Sequence, residues 1–286
     1  MPSLIDIRRR IRSVKNTQQI TKAMKMVSAA KLRRAQERVI AARPYAAMLD
    51  KLVSNVVAAA RLDDSAENNP MLAAREEKRV MLILVTADRG LAGAFNGNLI
   101  KAANVFFAEH QGCKVELETL GRKGRDFFRK RSVTFSGELV GASGKPQYSN
   151  ASELAARVVK RYADDELDAV YLLYNEFKSV LSQKLTVTRL LPVSVSEQAT
   201  PVDYIYEQPV EQILRTLLPK YVELGIFSAL LESAAAEFAA RMTAMDAASS
   251  NAAEMIEKLT LYMNRVRQAS ITREIIEVVS GASAQE

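Results

Sequence analysis

Small and apolar residues recur on a four-three spacing through the last quarter of the chain. This spacing is typical of a helix that packs along one side against another helix. No proline follows Pro219, and about sixty residues at 1.5 Å each give a helix roughly 90 Å long. The repeat consists of Leu224, Ser228, Leu231, Ala235, Phe238, Met242, Met245, Ser249, Ala252, Ile256, Leu259, Met263 and Val266.

A second four-three pattern, from Ile7 to Val56, predicts a long N-terminal helix. Four positions in the middle of this seam are polar: Gln18, Thr21, Lys25 and Ser28. Apolar residues shift there to Ile20, Met24 and Val27, so we expect the buried face to rotate. The intervening chain must leave and return, which favours antiparallel pairing of the first helix with the last. The alternative is two unrelated amphipathic helices packed on a domain.

Between these helices, apolar runs of strand length alternate with helical patterns. The predicted strands are 79–86, 114–120, one beginning at 133–135, 168–174 and an edge strand at 183–191. The predicted helices are 99–109, 122–130 and 152–162, the last capped by Asn150 or Ser152. Such alternation predicts a small, mostly parallel, Rossmann-like α/β sheet.

The expected architecture is therefore an α/β domain inserted into a long antiparallel α-helical coiled coil. Its segments are a coiled-coil helix at 1–60, the α/β domain at 76–205 and a coiled-coil helix with a tip at 209–286. A polar connector follows Val56, and an extended stretch is expected at 203–206. Pro209 suits a helix start, whereas Pro219 should kink or interrupt the helix.

Positive charge is concentrated at the N-terminus. The first 43 residues contain twelve Lys and Arg against Asp6 and Glu37, a balance of +10 in a chain of net +7. A basic helix fits an acidic protein, an anionic membrane surface or a nucleic acid backbone, and the alternative is a solvated helix face with excess arginine. No aromatic residue precedes Tyr45, which disfavours stacking on single-stranded nucleic acid.

The remaining composition narrows the classes of protein further. No apolar run reaches the length of a membrane span, and the N-terminus lacks the apolar core of a signal peptide. Cys113 and His110 are the single cysteine and the single histidine, so an internal disulfide is excluded and a zinc site is disfavoured.

The turn after the first predicted strand is the main candidate for chemistry. Gly90, Gly93 and Gly97 have the spacing GxxGxxxG rather than the dinucleotide-binding GxGxxG, which favours tight strand-to-helix packing. Asp88 and Arg89 should lie at the carboxyl end of that strand, where such sheets bind ligands. We expect no catalytic residues, no cofactor and no metal. Two alternatives stay open at this point, a basic coiled-coil nucleic-acid-binding protein and a nucleotide-binding α/β enzyme.

The last predicted helix changes character at its end. From Ile271 to Ala282 the heptad seam stops, yet apolar residues continue around much of the helix. The first helix is too short to cover this stretch. A helix that is apolar on several sides must be enclosed by something else. The alternative, a C-terminus folded onto its own domain, would require the helix to turn back, and no helix-breaking residue occurs before Gly281.

Three motifs carry a resemblance to a known family. They are Ile271-Thr272-x-Glu274-x-x-Glu277-x-x-x-Gly281-Ala282-x-Ala284 after Arg267-Gln268-Ala269-Ser270, the N-terminal IRRRIRSVKNTQQITKAMKMVSAAKLRRAQ with Arg43-Pro44-Tyr45, and the turn TADRGLAGAFN. Together they closely resemble the gamma subunits of F-type, proton-translocating ATP synthases of the bacterial type, over essentially the whole chain.

The resemblance implies the central rotor shaft of that complex, a non-catalytic subunit that couples proton flow to ATP synthesis or hydrolysis on the beta subunits. Its implied partners are three alpha and three beta subunits, the epsilon subunit and the c-subunit ring, with no nucleic acid. It implies a peripheral protein at the cytoplasmic face of the bacterial plasma membrane, attached only through the complex. The positions matching the family's contacts with alpha and beta are Met24, Arg241, Arg267, Gln268, Thr272 and Glu274. With Cys113 alone, the thiol switch of the chloroplast relatives is not expected.

Overall fold

The structure is a computed structural model, and it describes residues 3–62, 69–131, 133–194 and 206–283. The elements are α1 (Leu4–Leu62), β1 (Arg79–Val85), α2 (Phe95–Glu109), β2 (Lys114–Leu120), α3 (Arg122–Phe128), β3 (Thr134–Leu139), α4 (Tyr148–Ala163), β4 (Ala169–Phe177), β5 (Gln183–Leu191) and α5 (Val210–Ser283). Residues 63–68 of the predicted connector and residues 203–205 of the predicted extended stretch lie outside the described residues.

The chain forms two compact units. Met1–Ser28 and Met242–Glu286 make up the first, which we call the helical unit. Ala29–Arg241 make up the second, the α/β unit, which contains the sheet.

The five strands form one sheet in the order β3-β2-β1-β4-β5. β1 is parallel to β2 and β4, and β2 is parallel to β3. β5 is antiparallel to β4 and lies at the edge. The prediction of a small, mostly parallel α/β sheet inserted between two long helices is confirmed.

One face of the sheet shares its core with the long helices. Met81, Ile83 and Val85 of β1 pack in one cluster with α4 and with residues 49–60 of α1 and 214–230 of α5. The other face is covered by α2 and α3, where Leu84 lies close to Gly124. β1 is covered on both faces, which explains why its sequence is apolar throughout.

The two long helices run antiparallel. In the α/β unit, Tyr221 donates a hydrogen bond to Asp50 (3.0 Å) and Arg43 pairs with Glu232 (2.9 Å), so numbers rise along α1 as they fall along α5. In the helical unit, Lys25 of α1 pairs with Asp246 of α5 (2.6 Å).

The predicted rotation of the buried face of α1 is wrong. Thr21 and Ser28 on the polar part of the seam are 8% and 3% exposed, whereas Ile20 and Val27 are 60% and 55% exposed. The hydroxyl of Thr21 donates to the carbonyl of Gln18 (3.0 Å), so burial leaves it satisfied. Small, internally bonded side chains can therefore occupy the seam where larger apolar residues remain outside.

Several predicted boundaries also need correction. α2 begins at Phe95, because that ring is buried and the next side chain, Asn96, accepts a hydrogen bond from the amide of Ala87 (2.9 Å). α3 ends two residues earlier than predicted, at Phe128. α5 begins at Val210, directly after Pro209 as predicted, but Pro219 does not interrupt it. Pro219 removes one hydrogen bond, while the buried Leu218 and Val222 hold the helix on either side.

The predicted caps of α4 are wrong as well. The helix begins at Tyr148, and its N-cap, Gln147, makes no capping hydrogen bond through its side chain. Tyr148 holds the first turn instead. Its hydroxyl donates to Glu223 (2.5 Å) and its ring packs edge-on against Phe227. Tertiary contacts therefore replace the local cap.

Asp168, at the start of β4, joins two strands through one carboxylate. It accepts hydrogen bonds from the amides of Lys78 (3.2 Å) and Arg79 (2.7 Å) and from the Arg79 guanidinium (2.7 Å). The Arg79 side chain, followed by these amides, holds the pKa of Asp168 below its ordinary 3.8. Its contribution to stability is therefore present above about pH 4 and is lost as the pH falls through the lower folded pKa.

We expect Asp168→Asn to lower the free energy of unfolding by roughly 2 kcal/mol at neutral pH, because hydrogen bonds to a charged group are lost. The variant should also lose less stability than the parent between about pH 4 and pH 2. Urea unfolding at several pH values measures both effects, with the exposed Asp164→Asn as the control. If the unfolding free energies of the parent and of Asp168→Asn fell equally between about pH 4 and pH 2, the role given to the Asp168 carboxylate would be wrong.

Candidate partner-binding surfaces

The carboxyl end of the sheet, where open α/β sheets bind ligands, is covered by the chain itself. The strand order reverses between β1 and β4, which is the usual ligand position. Beside that position, the carboxyl ends of β1 and β2 and the loop after β3 meet α5. The residues that line this contact are Val85, Leu120, Ala142 and Ser143 from the sheet side and Leu230, Ser233, Ala234 and Glu237 from α5. The gap between them is too small for a water molecule.

Asp88 lies at this end of the sheet, as predicted, and its carboxylate binds neighbouring loops. It accepts hydrogen bonds from the amides of Arg122 (3.0 Å), Gly141 (3.0 Å) and Ser143 (3.2 Å) and from the Ser143 hydroxyl (2.9 Å). Burial by itself would raise the pKa of Asp88, but these hydrogen bonds together lower it. Asp88 therefore organises the loops rather than facing an open pocket.

The glycine turn after β1 is fixed from α5. Leu91 and Gly93 both have left-handed backbone conformations, with φ of 62° and 56°. Arg241 donates through Nη2 to the carbonyls of Arg89 (3.4 Å) and Gly90 (3.3 Å). The tight packing expected from the glycine spacing is not found at Gly90 or Gly97, because an added Cβ would meet only the Lys123 side chain at 3.7 Å at Gly90 and nothing within 4 Å at Gly97. Gly93 is favoured instead by its left-handed backbone.

We expect no binding heat when the full chain is titrated with ATP, ADP or NAD in a calorimeter. The reason is that α5 occupies the position at which an α/β sheet would hold a nucleotide. A micromolar dissociation constant for any of the three would show that this closed end opens, and would contradict our description of it.

The basic side chains of α1 are largely exposed. Arg8, Arg9, Arg10 and Arg12 all lie on the surface of the helical unit. Lys25 forms the ion pair with Asp246, and Met24 beside it is half-buried. α1 therefore presents positive charge to any acidic partner.

The end of α5 is a helix with large apolar side chains in solvent. Ile271, Ile275, Ile276 and Val278 are 48%, 58%, 58% and 71% exposed. Continuing the register of the Lys25–Asp246 pair along both helices places Leu4, the first residue of α1, opposite about Arg267. The exposed apolar stretch of α5 therefore begins just past the position opposite the first residue of α1.

The structure places four of the six predicted contact residues in this part of α5. Arg267, Gln268, Thr272 and Glu274 are all exposed. The Thr272 hydroxyl donates to the carbonyl of Gln268 (2.9 Å), and Glu274 accepts from the Ser270 hydroxyl (3.2 Å). They combine hydrogen-bonding groups with the apolar surface around them.

Arg241 is placed differently from the other predicted contact residues. It belongs to the α/β unit, and its side chain is 10% exposed and paired with Glu237 (2.7 Å). Sequence reasoning missed Glu237 and Glu232, two buried carboxylates on α5. Their signal was two acidic residues within the alanine-rich apolar stretch 229–240, where a charge requires a partner.

Comparison with known proteins identifies the family. A family model described as ATP synthase matches residues 3–285. The chain is 66% identical to an ATP synthase gamma chain from Solibacter usitatus, over 100% of both sequences. The chain belongs to the ATP synthase gamma chain family. An ATP synthase gamma chain from Desulfitobacterium hafniense is 52% identical, again over 100% of both.

Solved structures share this fold. A chain of the central stalk and c-ring of the Tetrahymena thermophila mitochondrial ATP synthase has a TM-score of 0.60 at 25% identity, covering 80% of this chain and 99% of that one. A rotor chain of the Euglena gracilis enzyme has a TM-score of 0.63 at 19% identity, covering 94% and 98%. Neither the nucleic-acid-binding nor the enzyme alternative finds support in these comparisons. Among the described residues, none of the helices could span a bilayer.

Proposed function

We propose that this gamma chain is the central rotor shaft of an F-type ATP synthase. It couples proton flow through the membrane sector to ATP synthesis or hydrolysis on the beta subunits by rotating inside the alpha-beta ring. The supporting observation is the exposed apolar end of α5, which starts just past the position opposite Leu4, the first residue of α1. Such a surface needs an enclosing partner, and a ring of subunits around the helix end supplies one.

The partners in this proposal are three alpha and three beta subunits, the epsilon subunit and the c-subunit ring. Arg267, Gln268, Thr272 and Glu274 contact the loops of alpha and beta, because they offer donors and acceptors beside the apolar end of α5. Met24 faces an acidic loop of beta, and the exposed cations of α1 supply the complementary charge. Arg241 also belongs to these contacts in this proposal, as the resemblance to the family implies.

The chain itself does no bond chemistry in this mechanism. Two different helices in the centre of a pseudo-threefold ring present a different surface to each catalytic subunit. Each orientation of the shaft therefore stabilises a different conformation of each subunit, and rotation changes which conformation is favoured. ATP is made or hydrolysed on beta.

The segments of the chain have different roles in this proposal. The coiled-coil helices, 1–60 and 209–286, form the shaft, and the α/β domain at 76–205 forms the foot on epsilon and the c ring. The protein is peripheral, at the cytoplasmic face of the bacterial plasma membrane, and is held there through the complex.

Purification of the tagged chain from its native membrane tests this proposal. We expect alpha, beta, epsilon and c subunits to copurify, and the reconstituted complex to pump protons when ATP is added. Recovery of the chain without them, or copurification with nucleic acid at physiological salt, would overturn the rotor function.

A further inference from the structure

Three arginines of the long helices donate to main-chain carbonyls in three different loops of the α/β unit. Arg38 Nη2 donates to the carbonyl of Pro146 (2.6 Å), between β3 and α4. Arg43 Nη2 donates to the carbonyl of Phe177 (2.8 Å), at the start of the β4–β5 hairpin. Arg241 Nη2 donates to two carbonyls of the turn between β1 and α2, as described above.

Two of these arginines are oriented by carboxylates on α5. Glu232 binds Arg43 through both of its oxygens, at 2.9 and 3.2 Å, and also accepts a hydrogen bond from the amide of Phe177 (2.9 Å). The amide and the carbonyl of Phe177 are thus both bonded to the long helices. Glu237 Oε1 pairs with Nη2 of Arg241 one turn along the same helix (2.7 Å), and the Glu232 and Glu237 side chains are 12% and 5% exposed.

These bonds differ in kind from the apolar contact beside them. The shared core of β1, α4, α1 and α5 keeps the elements together, but hydrophobic attraction by itself is non-directional. Hydrogen bonds from a guanidinium are directional, and the bonds of Arg38 (2.6 Å) and Arg43 (2.8 Å) are short, whereas those of Arg241 are longer, at 3.3 and 3.4 Å. Because their acceptors are main-chain carbonyls, the loops cannot escape them by changing a side-chain rotamer.

We propose that Arg38, Arg43 and Arg241 form a joint that fixes the orientation of the α/β segment on α1 and α5, so that torque passes between them without slip. We call these three residues the arginine joint. They are positioning residues and act through the loops they hold. The mechanical consequence rests on the proposed rotor function, whereas the fixed orientation is a property of the chain alone.

Spin labels on the full chain test the fixed orientation. With Cys113→Ser, labels at Met48→Cys on α1 and Leu181→Cys on the β4–β5 hairpin occupy side chains that are 73% and 86% exposed. The joint variant combines Arg38→Lys, Arg43→Lys and Arg241→Lys, which keeps the charge and removes the planar fork. The control combines Arg33→Lys, Arg34→Lys and Arg215→Lys. In that control, Arg34 is exposed and the other two pair within their own helix.

We expect a narrow distance distribution in the parent and in the control, and a distribution about twice as wide in the joint variant. Circular dichroism should show unchanged helix content in all three. If the distance distribution of the joint variant is as narrow as that of the control, the proposal is overturned. If the triple variant does not fold, Arg38→Gln against Arg34→Gln decides in the same way, because Arg38→Gln leaves no buried carboxylate unpaired.

The assembled complex tests the mechanical role. We expect the joint variant to pump severalfold fewer protons per ATP hydrolysed than the control variant, at equal subunit content. An unchanged ratio in a complex whose label distribution has broadened overturns the role in torque transfer. If the parent chain does not copurify with alpha and beta, the proposed rotor function is wrong. The spin-label measurement then still tests whether the arginine joint fixes the orientation.

Discussion

Gly121→Ala is expected to destabilise the α/β unit by at least about 3 kcal/mol, the upper end of the cost of one strained backbone position. Gly121 precedes α3 with φ of 115° and ψ of 145°, a region that essentially only glycine adopts. A Cβ there would lie 2.1 Å from the carbonyl oxygen of Thr86 and 2.8 Å from its hydroxyl. The carbonyl is main chain, so it cannot move away as a side chain could.

The clash also reaches the centre of the sheet. The amide of Thr86 donates to the carbonyl of Leu120 (2.7 Å), and its hydroxyl accepts from the amide of Gly124 (2.9 Å). Moving Thr86 would therefore disturb β1, β2 and α3 together. Urea unfolding followed by circular dichroism measures the effect. Gly112→Ala is the matched control, because nothing lies within 4 Å of its added Cβ, and it should change stability by less than about 0.5 kcal/mol. Equal losses at both positions would show that the backbone of Gly121 is not required.

Arg241→Met is expected to cost roughly 3 kcal/mol of unfolding free energy at about pH 8, because it leaves the buried carboxylate of Glu237 without its cation. Burial raises the pKa of Glu237 above its ordinary 4.5, and Arg241 opposes that shift. Without Arg241, the folded state binds the Glu237 proton still more strongly. The stability lost in the variant should therefore be smaller near pH 5 and grow as the pH rises through the raised pKa.

Two controls separate this charge effect from packing. The double variant Glu237→Gln/Arg241→Met removes both charges and should recover more than half of the lost stability. Arg215→Met removes an exposed ion pair, whose partners are 74% and 51% exposed, and should change stability by less than about 1 kcal/mol. A loss that does not vary with pH, or that the double variant does not recover, would mean that the Arg241 side chain acts through packing alone.

The order and type of the elements were predictable because each depends on a local pattern. Apolar runs with strand length marked β1 and β4, and the four-three seams marked α1 and α5. Boundaries depended on tertiary contacts that no local pattern encodes. α4 starts at Tyr148 because a glutamate 75 positions later accepts a hydrogen bond from its hydroxyl. Thr21 can lie in the seam of α1 because its hydroxyl donates to a carbonyl of the same helix.

The candidate partner-binding surfaces, too, were predictable only where a local sequence pattern marks them. The apolar end of α5 could be predicted from the sequence because apolar residues continue after the seam stops. Their exposed fractions in the structure confirm that they lie on the surface. The contact residues came from resemblance and remain predictions: Met24, Arg241, Arg267, Gln268, Thr272 and Glu274. The arginine joint could not be predicted, because its acceptors are main-chain carbonyls and carry no mark in the sequence.

Rotation of the chain inside its complex is the most direct test of the central claim. The complex carrying Cys113→Ser and Leu181→Cys would be fixed to a surface through the alpha-beta ring, with a bead attached at position 181, which is 86% exposed. We predict that ATP drives the bead in one direction in steps of about a third of a turn, as a threefold ring requires. A bead that only diffuses, on complexes that hydrolyse ATP and retain this chain, would contradict the shaft function.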